Sequence, residues 1–360
     1  MKAIRRRRLA VLALAAAVAT ALPARAQLQW KSADEKLVFK VGVLGQLQAE
    51  SIDVAGTGDS ARNLFLRRAR IILGLTLGEK LSVFLDTDSP NLGKSNTAGV
   101  KDAGDVFLQD FVVTYKASQA FQLDAGMILP AIFYNHAQSA ATFLAMDYGP
   151  YTFVEGGALG ARTGRDYGVQ ARGYLADDHL EYRAGVFQGN RGTNAANDFR
   201  YYGRLMYQFG TPQTGLFYRG TSLGKTRTLA LGASYDAQEK YSAWSLDGFL
   251  DLPVGGNGLS GQVDWTQWDG KSFLDTVPKQ DTLLAELGFY FSRAKVMPFL
   301  QYAEQNFDDD ARIDEKKTSI GLGYFAAGHN NNVKLSYSRI DPSAGENRDQ
   351  WLLQWQIFQF

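Results

Sequence analysis

Apolar and polar residues alternate with a period of two, in segments of roughly ten residues, from Leu37 to Phe360. Each such segment reads as a strand with one wet face and one apolar face. About sixteen can be drawn between turn signals. They begin near Leu37, Arg62, Lys80, Asp105, Ala120, Asp166, His179, Phe199, Thr228, Tyr241, Asn257, Thr282, Lys295, Lys316, Asn331 and Gln350. The clearest of them assign their own faces. In residues 199–209 the odd positions Phe199, Tyr201, Leu205, Tyr207 and Phe209 are lipophilic, and Arg200, Arg204 and Gln208 stand opposite.

The connections alternate in length, which carries more weight than any single strand. Residues 78–79, 117–118, 177–178 and 292–293 are short turns, whereas 51–61, 89–104, 131–165 and 307–315 are long. Two connections break the rhythm: 210–227 is long where a turn is expected, and 237–240 is the reverse. A local miscount is expected there.

Residues 350–360, QWLLQWQIFQF, bring an aromatic strand to the end of the chain. In a soluble sheet such a strand would be an exposed edge. In a closed membrane barrel it pairs with the first strand, and its outward side chains meet lipid. Trp351, Leu353, Trp355 and Ile357 alternate with Gln354 and Gln356, while Phe358 and Phe360 fall on the glutamine parity. Phe360 resembles the terminal signal read by the barrel-assembly machinery. The expected fold is all-β: a transmembrane antiparallel β-barrel of about sixteen strands, with short periplasmic turns and long external loops.

Composition agrees with that expectation. Mean hydropathy is −0.22, and no apolar run after the first 26 residues approaches the ~20 residues a membrane helix needs. Glycine (37 residues) and 12% aromatics suit many strands joined by tight turns and flanked by interfacial girdles. Residues 1–26 carry Lys2 and Arg5 to Arg8, an apolar run and Ala24-Arg25-Ala26, which is a signal peptide with its cleavage site. Removing six basic residues and no acidic one from a chain of net charge +1 leaves −5. There is no cysteine, so no disulfide framework supports the fold. We therefore expect a signal peptide (1–26), a short periplasmic segment (27–36) and a barrel (37–360).

Arginine on the lipid face costs about 2 to 4 kcal/mol at the midplane, so the arginine face of each strand is the lumen. That turns Arg68, Arg70, Arg172, Arg183, Arg200 and Arg204 inward as a basic wall. Asp247, Asp251 and Glu286 turn inward from later strands as an acidic wall, with Asp110 and Asp124 as further inward acids. Two readings of the arginines stand side by side. They line the permeation path, or they form a structural ladder with Asp110, Asp124 and Glu181.

Residues 65–71 (FLRRARI), 108–115 (LQDFVVTY), 123–127 (LDAGM) and 185–189 (GVFQG) resemble, in order, segments of the phosphate-selective porin O/P family. The resemblance implies a general or anion-preferring porin, usually a homotrimer, narrowed by its third external loop. That loop would be residues 131–165, with Arg162 and Arg165 as constriction candidates. The function expected is passive diffusion of small hydrophilic, anionic solutes through the outer membrane of a Gram-negative cell. An outer-membrane lipase or protease and a plugged structural barrel are the alternatives.

Other chemistry lacks its parts. His136, His179 and His329 have no metal-ligand spacing and read as solvated turn residues. Residues 220–226 (GTSLGKT) are one residue short of a phosphate loop and precede a strand. Asp86 and Asp88 lack the spacing of a calcium loop and read as solvated. Residues 67–70 alternate faces and make no nucleic-acid patch. No catalytic residue, metal or cofactor is expected.

Overall fold

The computed structural model describes residues 28–360, so the expected signal peptide lies outside the described residues. The first half of the wall is β2 (Leu37–Asp53), β3 (Ser60–Leu77), β4 (Leu81–Asp88), β5 (Phe107–Lys116), β6 (Gln122–Ile128), β7 (Asp166–Leu175), β8 (Leu180–Phe187) and β9 (Arg200–Gly210). The second half is β10 (Thr228–Gln238), β11 (Tyr241–Val254), β12 (Asn257–Asp269), β13 (Gln280–Tyr290), β14 (Val296–Phe307), β15 (Glu315–Tyr324), β17 (Asn331–Pro342) and β18 (Arg348–Gln359). Two short strands, β1 (Leu28–Lys31) and β16 (Ala326–His329), lie outside this series. Every wall strand starts within two residues of the position the alternation gave.

Each wall strand pairs antiparallel with its neighbours, and β18 closes on β2 from Gln350↔Ile52 to Gln359↔Val43. Closure leaves no edge, so every ladder group is satisfied without water, as a membrane barrel requires. The expected periplasmic segment holds a strand of its own. β1 pairs with β2 from Leu28↔Val41 to Lys31↔Val38, just past the last β18 pair.

Outward faces are apolar: Ile71, Leu205, Leu231, Leu287, Leu300 and Trp351 are exposed. Inward faces are polar, with Arg200, Arg204, Gln208, Asp247 and Asp251 buried. On β18 the alternation never slips. Gln350, Gln354 and Gln356 are buried, and Phe358 on the same parity packs inside against the cluster that contains Leu44 and Ile72.

No strand was miscounted around 210–240. β9 and β10 run in unbroken register from Gly210↔Thr228 to Tyr201↔Ala237, and β10 turns directly into β11 at Gln238↔Tyr241. Residues 211–227 are therefore a long connection at the periplasmic end. They fold up into the lumen, where Tyr218 is only 2% exposed.

Two bulges alter the inner face. Opposite Gln46 and Leu47 the register skips Arg67, so Phe65 and Arg68 both point inward. Opposite Asp86 and Thr87 it skips Gln109, so Gln109 and Asp110 are buried side by side. One extra residue on one strand re-aims its neighbours, as bulges do.

Candidate functional site

The longest connection, residues 129–165 between β6 and β7, folds into the lumen. Ile132, Tyr134, His136 and Glu155 on it are completely buried. Backbone carbonyls inside a barrel need donors, and the inward side chains of the wall supply them. Tyr202 Oη donates to Ala131 O (2.9 Å), Ser245 Oγ to Ile132 O (2.6 Å), Gln46 Nε2 to Ala140 O (3.2 Å) and Gln356 Nε2 to Ala141 O (2.9 Å). Lys334 Nζ on β17 donates to Phe143 O (2.6 Å), Leu144 O (3.4 Å) and Ala145 O (2.7 Å). The loop is thus tied to β9, β11, β2, β18 and β17, across the width of the barrel.

From the periplasmic end, residues 211–227 reach the underside of this loop. Tyr218 N donates to Ala137 O and Ser139 N to Tyr218 O, each at 2.9 Å, and the rings of Tyr134 and Tyr218 stack at 4.8 Å. The segment crosses from Phe217, edge-on to Phe84 at 5.3 Å, to Thr221, whose carbonyl accepts from His329 Nε2 at 2.7 Å. The phosphate-loop lookalike, residues 220–226, is part of this inner packing.

The expected pore-lining residues all face inward, and most are bound to one another. Arg70 bonds Asp86 (3.2 Å) and Asp88 (3.0 Å), so those two acids are buried partners rather than solvated loop residues. Arg172 bonds Asp124 (2.7 Å), Arg183 bonds Glu181 (2.6 Å), Arg200 bonds Asp236 (2.7 Å) and Arg204 bonds Asp247 (2.6 Å). A basic wall facing an acidic wall across water is therefore not what forms. The arginines of β7 to β9 meet carboxylates on the same strand, the next strand or, for Arg204, two strands away, because a buried inward charge must be paired. Asp251 accepts from Ser260 Oγ (2.6 Å), Ser222 N (2.9 Å) and Thr226 Oγ1 (3.1 Å), and Glu286 accepts from Gln301 Nε2 (2.6 Å).

Of the loop arginines, Arg165 holds Asp110 through Nε (3.2 Å) and Nη2 (3.1 Å). Burial alone would lower the Arg165 pKa, but Asp110 raises it above the ordinary value. Arg162 is exposed and lies over the Phe107 ring at 4.4 Å. His136, expected in solvent, is buried against Glu155 at 3.2 Å, because its loop lies inside the barrel. Phe360 turns its ring inward, edge-on to Phe84 at 6.0 Å and 3.1 Å from where a Cβ on Gly74 would stand.

An open part of the lumen lies elsewhere, between loop residues 145–150 and the wall from β14 through β18 to β3. It is a cavity of about 370 Å³ lined by Arg67, Lys94, Lys317, Glu50 and Asp147, by Gln48, Gln301 and Gln350, and by Ser319, Ser336 and Ser338. Its charges are linked. Lys317 Nζ donates to Gln350 Oε1 (2.8 Å), Gln350 Nε2 to Glu50 Oε1 (2.7 Å), and Lys94 Nζ bonds Glu50 Oε2 (2.7 Å). Across from them Asp147 accepts from Arg67 Nε and Arg68 Nη2, each at 2.5 Å. Burial would raise the Asp147 pKa, but Arg67 and Arg68 hold its carboxyl well below the usual range.

Lys94, Lys317, Asp147 and Glu50 were missed by the sequence reading. Lys317 and Glu50 sit on the inner parity of assigned strands and were legible in principle. Lys94 and Asp147 sit on connections, where period two says nothing.

No family model matches the chain, and no curated protein matches it. Solved structures do. The anion-selective porin from Comamonas acidovorans superposes with a TM-score of 0.59 at 12% identity, covering 89% of this chain and 99% of that one. The outer membrane channel DcaP of Acinetobacter baumannii gives 0.57 at 13% identity, covering 91% and 99%. The chain has the fold of an outer-membrane porin. In-vitro folded OmpT of Vibrio cholerae, in its trimer form, gives 0.51 at 13% identity, covering 89% and 99%. The phosphate-selective O/P resemblance gains no support beyond this porin fold.

Proposed function

We propose that the chain is a passive, anion-preferring diffusion channel of the Gram-negative outer membrane, admitting small hydrophilic solutes and assembling as a homotrimer. The observation that carries this reading is the charge of the cavity beside the constriction loop. Arg67, Lys94 and Lys317 outnumber Glu50 and Asp147 on its lining. Lys317 bonds the neutral Gln350 and forms no ion pair among the described residues. In a narrow, low-dielectric passage a fixed cation lowers the energy of an anion beside it. The amides of Gln48 and Gln301 and the hydroxyls of Ser319, Ser336 and Ser338 offer that anion substitutes for its hydration shell.

On this reading Arg70, Arg172, Arg183, Arg200 and Arg204 support the wall and the loop, and selectivity rests on Lys317, Lys94 and Arg67. Arg162 and Arg165 fix the loop root. Phosphate is one oxyanion among several that such a site accepts. The porin class involves no catalysis, and the trimeric neighbour supports the oligomer. Phe360 serves as the assembly signal.

The test is the reversal potential of the purified protein in a planar bilayer across a KCl gradient. Anion preference is expected in dilute salt, and Lys317→Gln should reduce it. Because the Debye length shrinks from about 10 Å at 0.1 M to about 3 Å at 1 M, the effect of Lys317→Gln should fade in strong salt. A wild-type channel with cation preference or none would overturn the reading.

A further inference from the structure

Most inward ion pairs of this barrel are sealed, but those on the cavity lining, Lys94 with Glu50 and Arg67 and Arg68 with Asp147, face open space. The side chains of Arg204 and Asp247 are both fully buried, and those of Arg70, Asp86 and Asp88 are nearly so. By contrast the side chains of Arg67 and Asp147 are 22% and 24% exposed, on the lining of the cavity. The bulge at Arg67 sets two guanidiniums beside one carboxylate. Arg68 is fixed behind it, donating to Gln46 Oε1 at 2.7 Å with the Phe143 and Tyr148 rings at 5.6 and 5.5 Å. A pair of preorganised guanidinium forks is a receptor for a carboxylate, and here the chain fills it with its own.

We propose that Asp147 is a tethered stand-in for a permeant carboxylate, which exchanges with it on Arg67 and Arg68 and so releases the inner part of the constriction loop. The inference rests on the anion-channel reading above and names the site where the anion is bound. A small carboxylate in the cavity meets Arg67 first, since Arg68 lies deeper. Two carboxylates repel at one site, so binding of the newcomer displaces Asp147 toward the water of the cavity. The displaced side chain takes the adjoining backbone with it, because Asp147 Oδ1 also accepts from Tyr148 N at 2.8 Å. The segment then keeps only bonds that do not involve Arg67 or Arg68: Lys334 on the carbonyls of Phe143, Leu144 and Ala145, Tyr148 Oη on Gln138 O (3.0 Å) and Gly149 N on Asn135 Oδ1 (3.0 Å). Solute and loop therefore compete for one pair of cations, and the passage widens when its cargo is present.

The test uses the full-length protein in planar bilayers in dilute KCl, with acetate as the probe. Wild-type conductance should rise as acetate is added, beyond the contribution of the added ions. Asp147→Asn frees the guanidiniums permanently, so its basal conductance should be about threefold higher, and acetate should now reduce it by occupying the exposed site. Asp147→Glu keeps a carboxylate on the pair and should retain the wild-type rise, and heat-modifiable mobility on a gel confirms that each barrel is folded. An anion-preferring wild type whose conductance ignores acetate, with folded Asp147→Asn matching it, would overturn the exchange and leave the channel reading standing. A response to inorganic phosphate with none to acetate would overturn the carboxylate assignment. Loss of anion preference in the wild type would instead remove the reading on which the proposal rests.

Discussion

Gly232 shows how much one missing side chain decides. A Cβ there would press on Arg204 Nη2 and Asp247 Oδ1, so glycine leaves the guanidinium of β9 room to reach over β10 to the carboxylate of β11. Arg204→Leu should strand Asp247 at a cost of about 3 to 5 kcal/mol in urea unfolding, and Gly232→Ala should cost less, because it leaves both partners in place and requires only that their ends shift. Arg204→Leu with Asp247→Leu should recover much of that, since well-packed apolar side chains replace a buried pair at little cost. Full stability of Arg204→Leu would mean the pair adds nothing. Asp147 makes a different forecast. Its folded pKa is depressed by Arg67 and Arg68, so its hold on the loop is complete above the unfolded value of about 4 and is lost as pH falls through the lower folded value. Single-channel conductance should therefore stay constant from neutral pH down to about 4 and rise only in stronger acid. A transition near neutrality would assign the loop's hold to another group.

At the scale of the strand, period two carried almost everything. Leu205 on β9 is 59% exposed while Arg204 beside it is buried, as the alternation required. Leu205→Arg should cost about 2 to 4 kcal/mol near the midplane, read as lowered heat stability of the folded barrel in detergent. A neutral outcome would place Leu205 at the interface instead. The strand starts, the inward parity of the arginines and the long inner loop were all legible, because each follows from a repeated choice between lipid and water. Of the arginines' partners, Asp110, Asp124 and Glu181 were named in the ladder reading and are bonded by Arg165, Arg172 and Arg183, but the others were not. Arg204 meets Asp247 two strands away, and Arg67 joins Arg68 only because a bulge interrupts the repeat, which a strict alternation cannot register. The same limit hid His136: a polar residue in a connection reads as solvated until the connection is known to fold inside.

For the molecule as a whole, the unexpected element is the periplasmic connection 211–227, which the length rhythm flagged only as an irregularity. Tyr218 joins the two inner layers. It accepts from Arg204 Nε at 3.0 Å, donates to Glu181 Oε1 at 2.6 Å and bridges by backbone to Ala137 and Ser139 of the 129–165 loop. The lumen is thus divided. Beneath the loop, the part bounded by β7 to β11 is filled by ion pairs and by this segment, and the part bounded by β14 to β18, β2 and β3 keeps the open cavity. The segment also meets Phe84 through Phe217 and His329 through Thr221, so it crosses the periplasmic mouth on the way to that cavity. Replacing 212–226 with a short turn should therefore raise single-channel conductance by about twofold, as a wider lumen passes more ions. It should also lower heat stability, because Glu181 and Arg204 lose a buried partner. Tyr218→Phe separates the two effects, since it removes the hydroxyl bonds but leaves the segment in place: stability should fall while conductance holds. A folded barrel with the short turn and unchanged conductance would show that ions already bypass the segment, and that the constriction loop alone sets the passage.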